Sequence, residues 1–182
     1  TVYSYEQSFT ERQISVFEPV LNRWLRVPSV KYPRREAGIV SDGSVLYMIG
    51  GRIPEEGIYI PKNIVEMYDN RCAKWSQITT AHDDLEINHT PYSKRVCYLN
   101  NVLYLFSSCG NLSAFDIRNN EWPFSVKNSV ETGALGYSVV DTGLIWFIYK
   151  SLADGGIRIF NPSNGELVSQ LLNGENFRVK PI

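Results

Sequence analysis

Several basic side chains recur at similar places along the chain and could hold an anionic partner. They are Arg34, Arg35, Arg52, Lys94 and Arg95. A guanidinium group can bind a carboxylate through two parallel hydrogen bonds, which suits the recognition of an acidic protein segment. Ile58 and Tyr59, in a loop beside Arg52, could add apolar contact area. We predict that these seven residues bind a partner. The alternative is separate surface charges, with Ile58 and Tyr59 packed against the next loop.

Residues that could support catalysis are few. The chain has two histidines, His82 and His89, seven positions apart in one segment, and with Asp83-Asp84 they could bind a metal or simply form a solvated loop. Adjacent carboxylates such as Glu55-Glu56 cannot by themselves place an acid and a base on either side of a bond. The usual catalytic motifs do not occur. We therefore expect no enzyme, no cofactor and no metal site.

Composition excludes several classes of protein. The 182 residues carry a net charge of -1, which does not provide the basic surface that nucleic-acid binding needs. No apolar run reaches the roughly 20 residues of a membrane-spanning helix. Cys72, Cys97 and Cys109 are odd in number and lack C-x-x-C spacing, so we expect reduced and mostly buried thiols. The sequence predicts a folded domain whose partner is neither nucleic acid nor membrane.

An internal repeat indicates how the chain is organised. Four segments place an acidic or amide residue directly after an aromatic residue, and a bulky apolar residue seven positions after that aromatic. The aromatics lie 51, 47 and 45 positions apart. Apolar runs precede the last three segments, and their β-branched and aromatic residues are typical of buried strands. The paired residues are Phe17 with Trp24, Tyr68 with Trp75, Phe115 with Trp122, and Phe160 with Leu167.

The second unit carries a recognisable motif. Gly38-Ile39-Val40, Asp42-Gly43, the run Leu46 to Gly51 and the run Val65 to Asp69, followed by Trp75, resemble a complete kelch repeat, whose period is about 50 residues. The third and fourth units depart from it, with Ser107-Ser108 and Tyr149-Lys150 in place of the double glycine. The resemblance implies an all-β, kelch-type β-propeller with about three and a half four-stranded blades.

The repeat also predicts boundaries. We expect two strands of a first blade within residues 11 to 27, and a fragment of a larger propeller that a longer chain or partners complete. In the second blade we expect strands near 36 to 41, 45 to 50, 63 to 69 and 73 to 78. Within the partial propeller 1–182, the predicted divisions are a blade part at 1–30, blades at 31–78, 79–127 and 128–172, and a tail at 173–182.

Three further expectations concern particular residues. Trp24, Trp75 and Trp122 should be largely buried on equivalent strands, because large aromatic side chains pack between sheets. Gly50 and Gly51 should leave an inner strand in a conformation that penalises a side chain. The long loops 52–62 and 79–93 should emerge on one face, together with the basic residues, and bind the partner there.

The resemblance further implies a function. Members of the BTB-kelch family use the propeller to bind proteins, often with basic residues at its mouth that hold acidic motifs. We expect a protein-interaction module, the substrate-recognition propeller of an adaptor for a cullin-RING E3 ubiquitin ligase, which binds cullin through a BTB domain not present here. The alternatives are an actin-binding kelch protein and, less favoured, a kelch-fold oxidase. The implied location is the cytoplasm, with the nucleus also open.

Overall fold

The computed structural model describes residues 2–5, 14–35, 37–55, 58–61, 64–79, 95–106, 112–126, 135–150 and 155–172. Every regular element in these ranges is a β-strand, and all strand pairs are antiparallel. Among the same residues no helix is long and apolar enough to cross a membrane. The chain divides into two compact units, Thr1–Lys94 and Arg95–Ile182. The predicted all-β fold class is confirmed.

The first unit contains a three-stranded sheet, a four-stranded sheet and a separate hairpin. The three-stranded sheet has the order β1-β2-β3, and the four-stranded sheet has the order β4-β5-β8-β9. Strands β6 and β7 pair only with each other in the connection between β5 and β8. The strands are β1 Val2–Tyr5, β2 Ile14–Glu18, β3 Arg23–Val27, β4 Gly38–Ser41, β5 Val45–Ile49, β6 Arg52–Glu55, β7 Ile58–Pro61, β8 Val65–Asp69 and β9 Lys74–Thr79.

The two sheets of the first unit share an apolar core. Ile14 of β2 is buried in one cluster with Leu46 and Met48 of β5 and Tyr68 of β8. Leu46 and Met48 are two positions apart, so they lie on the same face of β5, as the strand period requires. Because this face packs against the first sheet, alternate apolar residues in the sequence become a contact between sheets.

The second unit contains two four-stranded sheets that are built in the same way. Their orders are β10-β11-β12-β13 and β14-β15-β16-β17. Aromatic rings join the sheets, since the stacked rings of Phe106 and Phe147 have centroids 4.4 Å apart and the tilted rings of Tyr104 and Phe160 have centroids 5.8 Å apart. The strands are β10 Arg95–Leu99, β11 Val102–Phe106, β12 Leu112–Asp116, β13 Glu121–Val126, β14 Leu135–Asp141, β15 Leu144–Lys150, β16 Gly155–Asn161 and β17 Glu166–Leu172.

The repeated aromatic pairs occupy equivalent places in their sheets. In each of the first three sheets the aromatic of one strand contacts the tryptophan of the next, with ring centroids 5.1 to 5.3 Å apart. In the fourth sheet Phe160 pairs with Leu167 in the same way. The predicted equivalence of these strands is therefore confirmed.

The predicted burial of the tryptophans is wrong. Trp24 is 52% exposed, and Trp75 and Trp122 are only partly buried. The segment that follows β3 lies against one side of Trp75. There the indole N–H of Trp75 donates to the carbonyl oxygen of Pro28 at 2.7 Å. Among the described residues Trp24 has no corresponding hydrogen bond. Burial at this repeat position thus depends on the neighbouring sheet and not on the tryptophan itself.

Two strand assignments need correction. The first sheet has a third strand, β1, which pairs with β2 from Val2 opposite Phe17 to Tyr5 opposite Ile14. Its four residues are too few to stand out from a periodic pattern. The segment predicted as a loop at 52–62 contains the hairpin β6–β7. Pro54 and Pro61 disguise it, since proline is usually kept out of strands except at edges.

The expectation for the double glycine is confirmed. Gly50 and Gly51 have φ values of 64° and 97°. A Cβ atom on Gly51 would lie 2.7 Å from the carbonyl oxygen of Arg35, closer than van der Waals contact permits. Glycine is therefore required both by the backbone conformation and by the close approach of a second chain segment.

Replacing Gly51 with alanine should separate these two requirements. Gly43 has a similar φ of 99° but open space around its Cβ position, so Gly43→Ala is a matched control. We expect Gly51→Ala to lower the free energy of unfolding by about 1–3 kcal/mol more than Gly43→Ala, because only Gly51 also meets a carbonyl oxygen. Urea denaturation of both variants measures the difference. Equal losses would contradict the close approach.

Candidate functional site

Two connections of the first unit meet beyond the ends of strands β4 and β5, where Arg35 and Arg52 form a bridge. We call this end of the second sheet, together with the hairpin, the Arg35–Arg52 edge. The segment from β3 to β4 contains Arg35, and the segment from β5 to β8 begins at Gly50 and contains the hairpin. The N–H of Arg35 donates to the carbonyl oxygen of Arg52 at 2.9 Å, and the N–H of Arg52 donates back at 2.8 Å. The N–H of Gly50 also donates to the Ile64 carbonyl oxygen at 3.0 Å and so closes the base of the hairpin. This edge is the candidate site.

The bridge brings two of the predicted binding residues together. Residues that exchange both hydrogen bonds in an antiparallel pair lie about 5.5 Å apart at Cα, and their side chains share a face. Arg35 and Arg52 are both partly buried. Two basic side chains thus start from neighbouring positions on a backbone fixed by two hydrogen bonds, an arrangement that favours an anionic group.

The hairpin places Ile58, one of the two predicted apolar contacts, on its other face. Ile58 pairs with Glu55, and Ile60 pairs with Ile53. Because directly opposite residues share a face and alternate residues return to it, these positions lie on the face opposite Arg52. Ile58 is 63% exposed at the end of the hairpin. The structure therefore puts Arg52 and Ile58 on one hairpin but on different faces.

Arg34 does not belong to this surface, and the expectation that it reaches a partner is wrong. The residue is 2% exposed. Its guanidinium group forms a buried ion pair with Glu66 and donates to the Met48 carbonyl oxygen at 2.8 Å and to the Tyr32 carbonyl oxygen at 3.1 Å. A buried charge requires such partners. Arg34 fastens the β3–β4 connection to the second sheet.

Glu66 is the residue that sequence reasoning missed. It is 1% exposed and lies in β8 between Val65 and Met67. Its second oxygen accepts a hydrogen bond from the Lys31 N–H at 3.0 Å. A carboxylate with apolar residues on both sides in a strand is the signal that could have indicated a buried cationic partner.

For the remaining predicted site residues the structure describes the backbone alone or nothing. Arg95 is the first residue of β10 and Tyr59 lies in β7, but the structure describes only the backbone of both. Lys94, His82 and His89 lie outside the described residues, as does most of the predicted loop 79–93. Their roles stay predictions.

The acidic and amide residues of the repeat close turns. Oδ1 of Asp69 accepts from the Arg71 N–H at 2.8 Å, and the same oxygen position of Asp116 accepts from the Arg118 N–H at 2.8 Å. The Arg71 guanidinium donates to Asp69, and with the Arg71 N–H it lowers the Asp69 pKa to about 2. The N–H of Asn119 contributes most to lowering the pKa of Asp116. These carboxylates are structural acceptors.

A groove in the second unit suits a different kind of ligand. It has a volume of about 570 Å³ and lies among turns of the two sheets. Its polar lining residues are uncharged, namely Asn100, Tyr104, Thr142, Asn161 and Ser163. Without a basic side chain the groove cannot neutralise an acidic segment, so the Arg35–Arg52 edge is the better candidate.

The thiols differ from one another in exposure. Cys97 is buried beside the ring of Tyr104, and burial raises the pKa of its thiol to about 12. Cys72 is exposed in the turn after β8, which corrects the expectation of mostly buried thiols. Cys109 lies outside the described residues. Both described cysteines are free.

Comparison with known proteins supports the class that this fold defines, a protein built from repeated four-stranded sheets. No family model matches the chain. The chain is 25% identical, over an alignment of 138 residues, to Kelch-like protein terF of Aspergillus terreus. The alignment covers 68% of this chain and 30% of that protein, so the chain spans less than a third of its relative. Together with the sheets, this likeness supports kelch-like repeats.

Removing one member of the buried ion pair should be costly. We expect Arg34→Met or Glu66→Leu to lower the free energy of unfolding by about 3–5 kcal/mol, because the other group stays buried without its partner. The double variant R34M/E66L should lose less than the sum. Arg23→Met, which breaks the exposed pair with Glu18, is the control and should cost less than about 1 kcal/mol. Urea denaturation measures each loss, and a loss for Arg34→Met or Glu66→Leu no larger than that for Arg23→Met would contradict the buried pair.

The thiols should react in a fixed order. A maleimide added to the native protein near neutral pH should label Cys72 and spare Cys97, because the reactive thiolate of Cys97 is disfavoured by burial. Cys97 should react only after denaturation. Peptide mapping by mass spectrometry locates each label and separates these sites from Cys109. Native labelling of Cys97 would show that its strand is not packed as described.

Proposed function

We propose that this chain is a protein-interaction module that binds an acidic segment of another protein at the edge formed by Arg35, Arg52 and the hairpin β6–β7. The observation that carries the proposal is the two-bond bridge between Arg35 and Arg52. The bridge starts two arginine side chains from neighbouring positions on one face, and a guanidinium group is suited to carboxylate recognition because it can donate two parallel hydrogen bonds.

The physical advantage of this arrangement is its rigidity. A pair of arginines on flexible loops would lose conformational freedom on binding, which weakens association. Here the backbone of both residues is already fixed, and both side chains are partly buried, so their attraction to an anion is less screened by water. An acidic segment would therefore gain more from this edge than from isolated surface charges.

The hairpin adds an apolar contact on its second face. Ile58 is largely exposed, and Ile53 and Ile60 on the same face are partly buried. An exposed aliphatic group at the end of a projecting hairpin can fill a pocket of a partner protein. We propose that a partner with acidic residues at the hairpin base and an apolar surface at its end would use both contacts.

At the level of the whole protein we propose a non-catalytic adaptor in the cytoplasm or nucleus. The adaptor would present substrates to a cullin-RING ubiquitin ligase through a BTB domain outside this sequence. The support for this step is the resemblance of the repeats to the BTB-kelch family.

Binding to actin filaments is the rival function. Immunoprecipitation of the complete protein with a cullin supports the adaptor, whereas co-sedimentation with filaments alone supports the rival.

Charge reversal at the bridge tests the binding edge. We expect Arg52→Glu to reduce the recovery of bound proteins from lysate at least about tenfold, because it replaces one of the two cations with an anion. Ile58→Asp should reduce recovery as well. Lys74→Glu, an equal change of charge at an exposed position in β9, is the matched control and should have no effect. Quantitative mass spectrometry of the recovered proteins measures all four samples.

Two results would contradict the proposed edge. One is equal recovery of every protein by the wild type, Arg52→Glu and Ile58→Asp. The other is a loss of recovery that appears only with Lys74→Glu, which would move the site to the outer strand of the second sheet. Thermal melting of each variant must match the wild type, so that a loss of recovery reports binding and not unfolding.

A further inference from the structure

The four turns that follow the repeated aromatic residues have the same length and end in the same left-handed backbone conformation. Each spans four residues, and its last residue has a positive φ: 47° at Asn22, 51° at Ala73, 57° at Asn120 and 73° at Gly165. The turns keep this length and this last conformation with several kinds of residue at their second and third positions, so these features do not dictate the side chains there. Differences at those positions need another explanation.

One of the four turns is apolar where the others are polar. Its second and third residues are Val20 and Leu21, which we call the apolar tip, and they are 91% and 53% exposed. Exposed aliphatic residues side by side are a mark of an interaction surface. At the same positions the other turns carry Arg71 and Cys72, Arg118 and Asn119, and Ser163 and Asn164.

A neighbouring sheet would not cover the apolar tip. The first sheet packs against the second, as the shared core of Ile14 and Tyr68 shows, yet Arg71 and Cys72 remain exposed. In the second unit Ser163 also remains exposed, although its sheet packs against a neighbour. A further sheet beside the first could cover Trp24, but the apolar tip would still face solvent. It therefore requires a different occupant.

The charges beside the apolar tip are of both signs. Glu18 precedes it and Arg23 follows it, with Oε2 and Nε 3.3 Å apart and side chains 38% and 57% exposed. A partner of one charge sign would attract one of these groups and repel the other. A second copy turned by a two-fold rotation presents an arginine to the glutamate and a glutamate to the arginine.

We propose that the apolar tip and the flanking Glu18 and Arg23 form a self-association surface, through which two copies of this chain pair by a two-fold axis. The aliphatic residues of the two copies bury each other, and the charges cross between copies. The tip precedes β3, whereas the segment with Arg35 follows it, so the two sites lie at opposite ends of this strand. Pairing therefore leaves the Arg35–Arg52 edge accessible.

The first test changes the apolar tip to residues that the other turns already use. Sedimentation velocity over a series of concentrations should show a monomer–dimer equilibrium for the wild type. The variant V20R/L21N copies the arginine and asparagine of the third turn, so it should fold, and its dimer should be at least about tenfold weaker. Ile58→Asp, which changes an exposed aliphatic residue elsewhere, is the control and should leave the dimer unchanged.

The second test uses the crossed charges. Glu18→Arg gives a chain with two basic side chains beside the apolar tip, and Arg23→Glu gives a chain with two acidic ones. Each variant alone should dimerise poorly because like charges face each other. An equal mixture should dimerise at least about tenfold more tightly than either variant alone, since each copy then meets the opposite charges. The ion pair within each chain stays broken in both, so only pairing between copies explains a recovery.

Three outcomes would overturn the proposal. They are a wild type that stays monomeric up to about 1 mM, an association that persists in V20R/L21N, and a mixture that dimerises no better than its components although the wild type does. None of these results bears on the Arg35–Arg52 edge. That edge is tested by Arg52→Glu and should still bind its acidic partner in V20R/L21N.

Discussion

The buried ion pair between Arg34 and Glu66 is the interaction on which the candidate site depends. It joins the connection after β3 to strand β8, and the additional bond from Arg34 to the Met48 carbonyl oxygen joins the same connection to β5. A charge pair taken out of water is stable only when its geometry is well satisfied, so it tolerates little movement. The position of the next residue, Arg35, is thereby restricted as well.

That restriction explains why the double glycine and the bridge occur together. With Arg35 held in place, its carbonyl oxygen accepts from the Arg52 N–H and leaves no room for a side chain on Gly51. The position of the hairpin thus depends on the buried Arg34 and on the absence of a side chain at Gly51. Neighbouring arginines in the sequence have different roles, since the side chain of Arg34 stabilises the sheet and the backbone of Arg35 forms the bridge with Arg52.

The sequence predicted the features that depend on local pattern. Strands β5, β8 and β11 follow from runs of β-branched and aromatic residues, and the pairing of Tyr68 with Trp75 follows from their spacing. Features that depend on neighbours in space were predicted poorly. Spacing cannot show that Trp24 lacks the cover that Pro28 provides for Trp75, and the type of residue alone cannot tell a buried arginine from an exposed one.

In a repeat protein, therefore, the departures from the repeat tell more about function than the repeat itself. Shared positions, such as the aromatic residue of all four units and the acceptor that closes the turn in the last three, are explained by packing and hydrogen bonding within each sheet. Val20 and Leu21 are not explained in this way, because three turns of the same length, which also end in a residue with a positive φ, do without them. The hairpin β6–β7 is a similar departure, since its strands extend no sheet. Both departures add exposed apolar groups to a stable scaffold, and both lie beside charged residues that can select a partner.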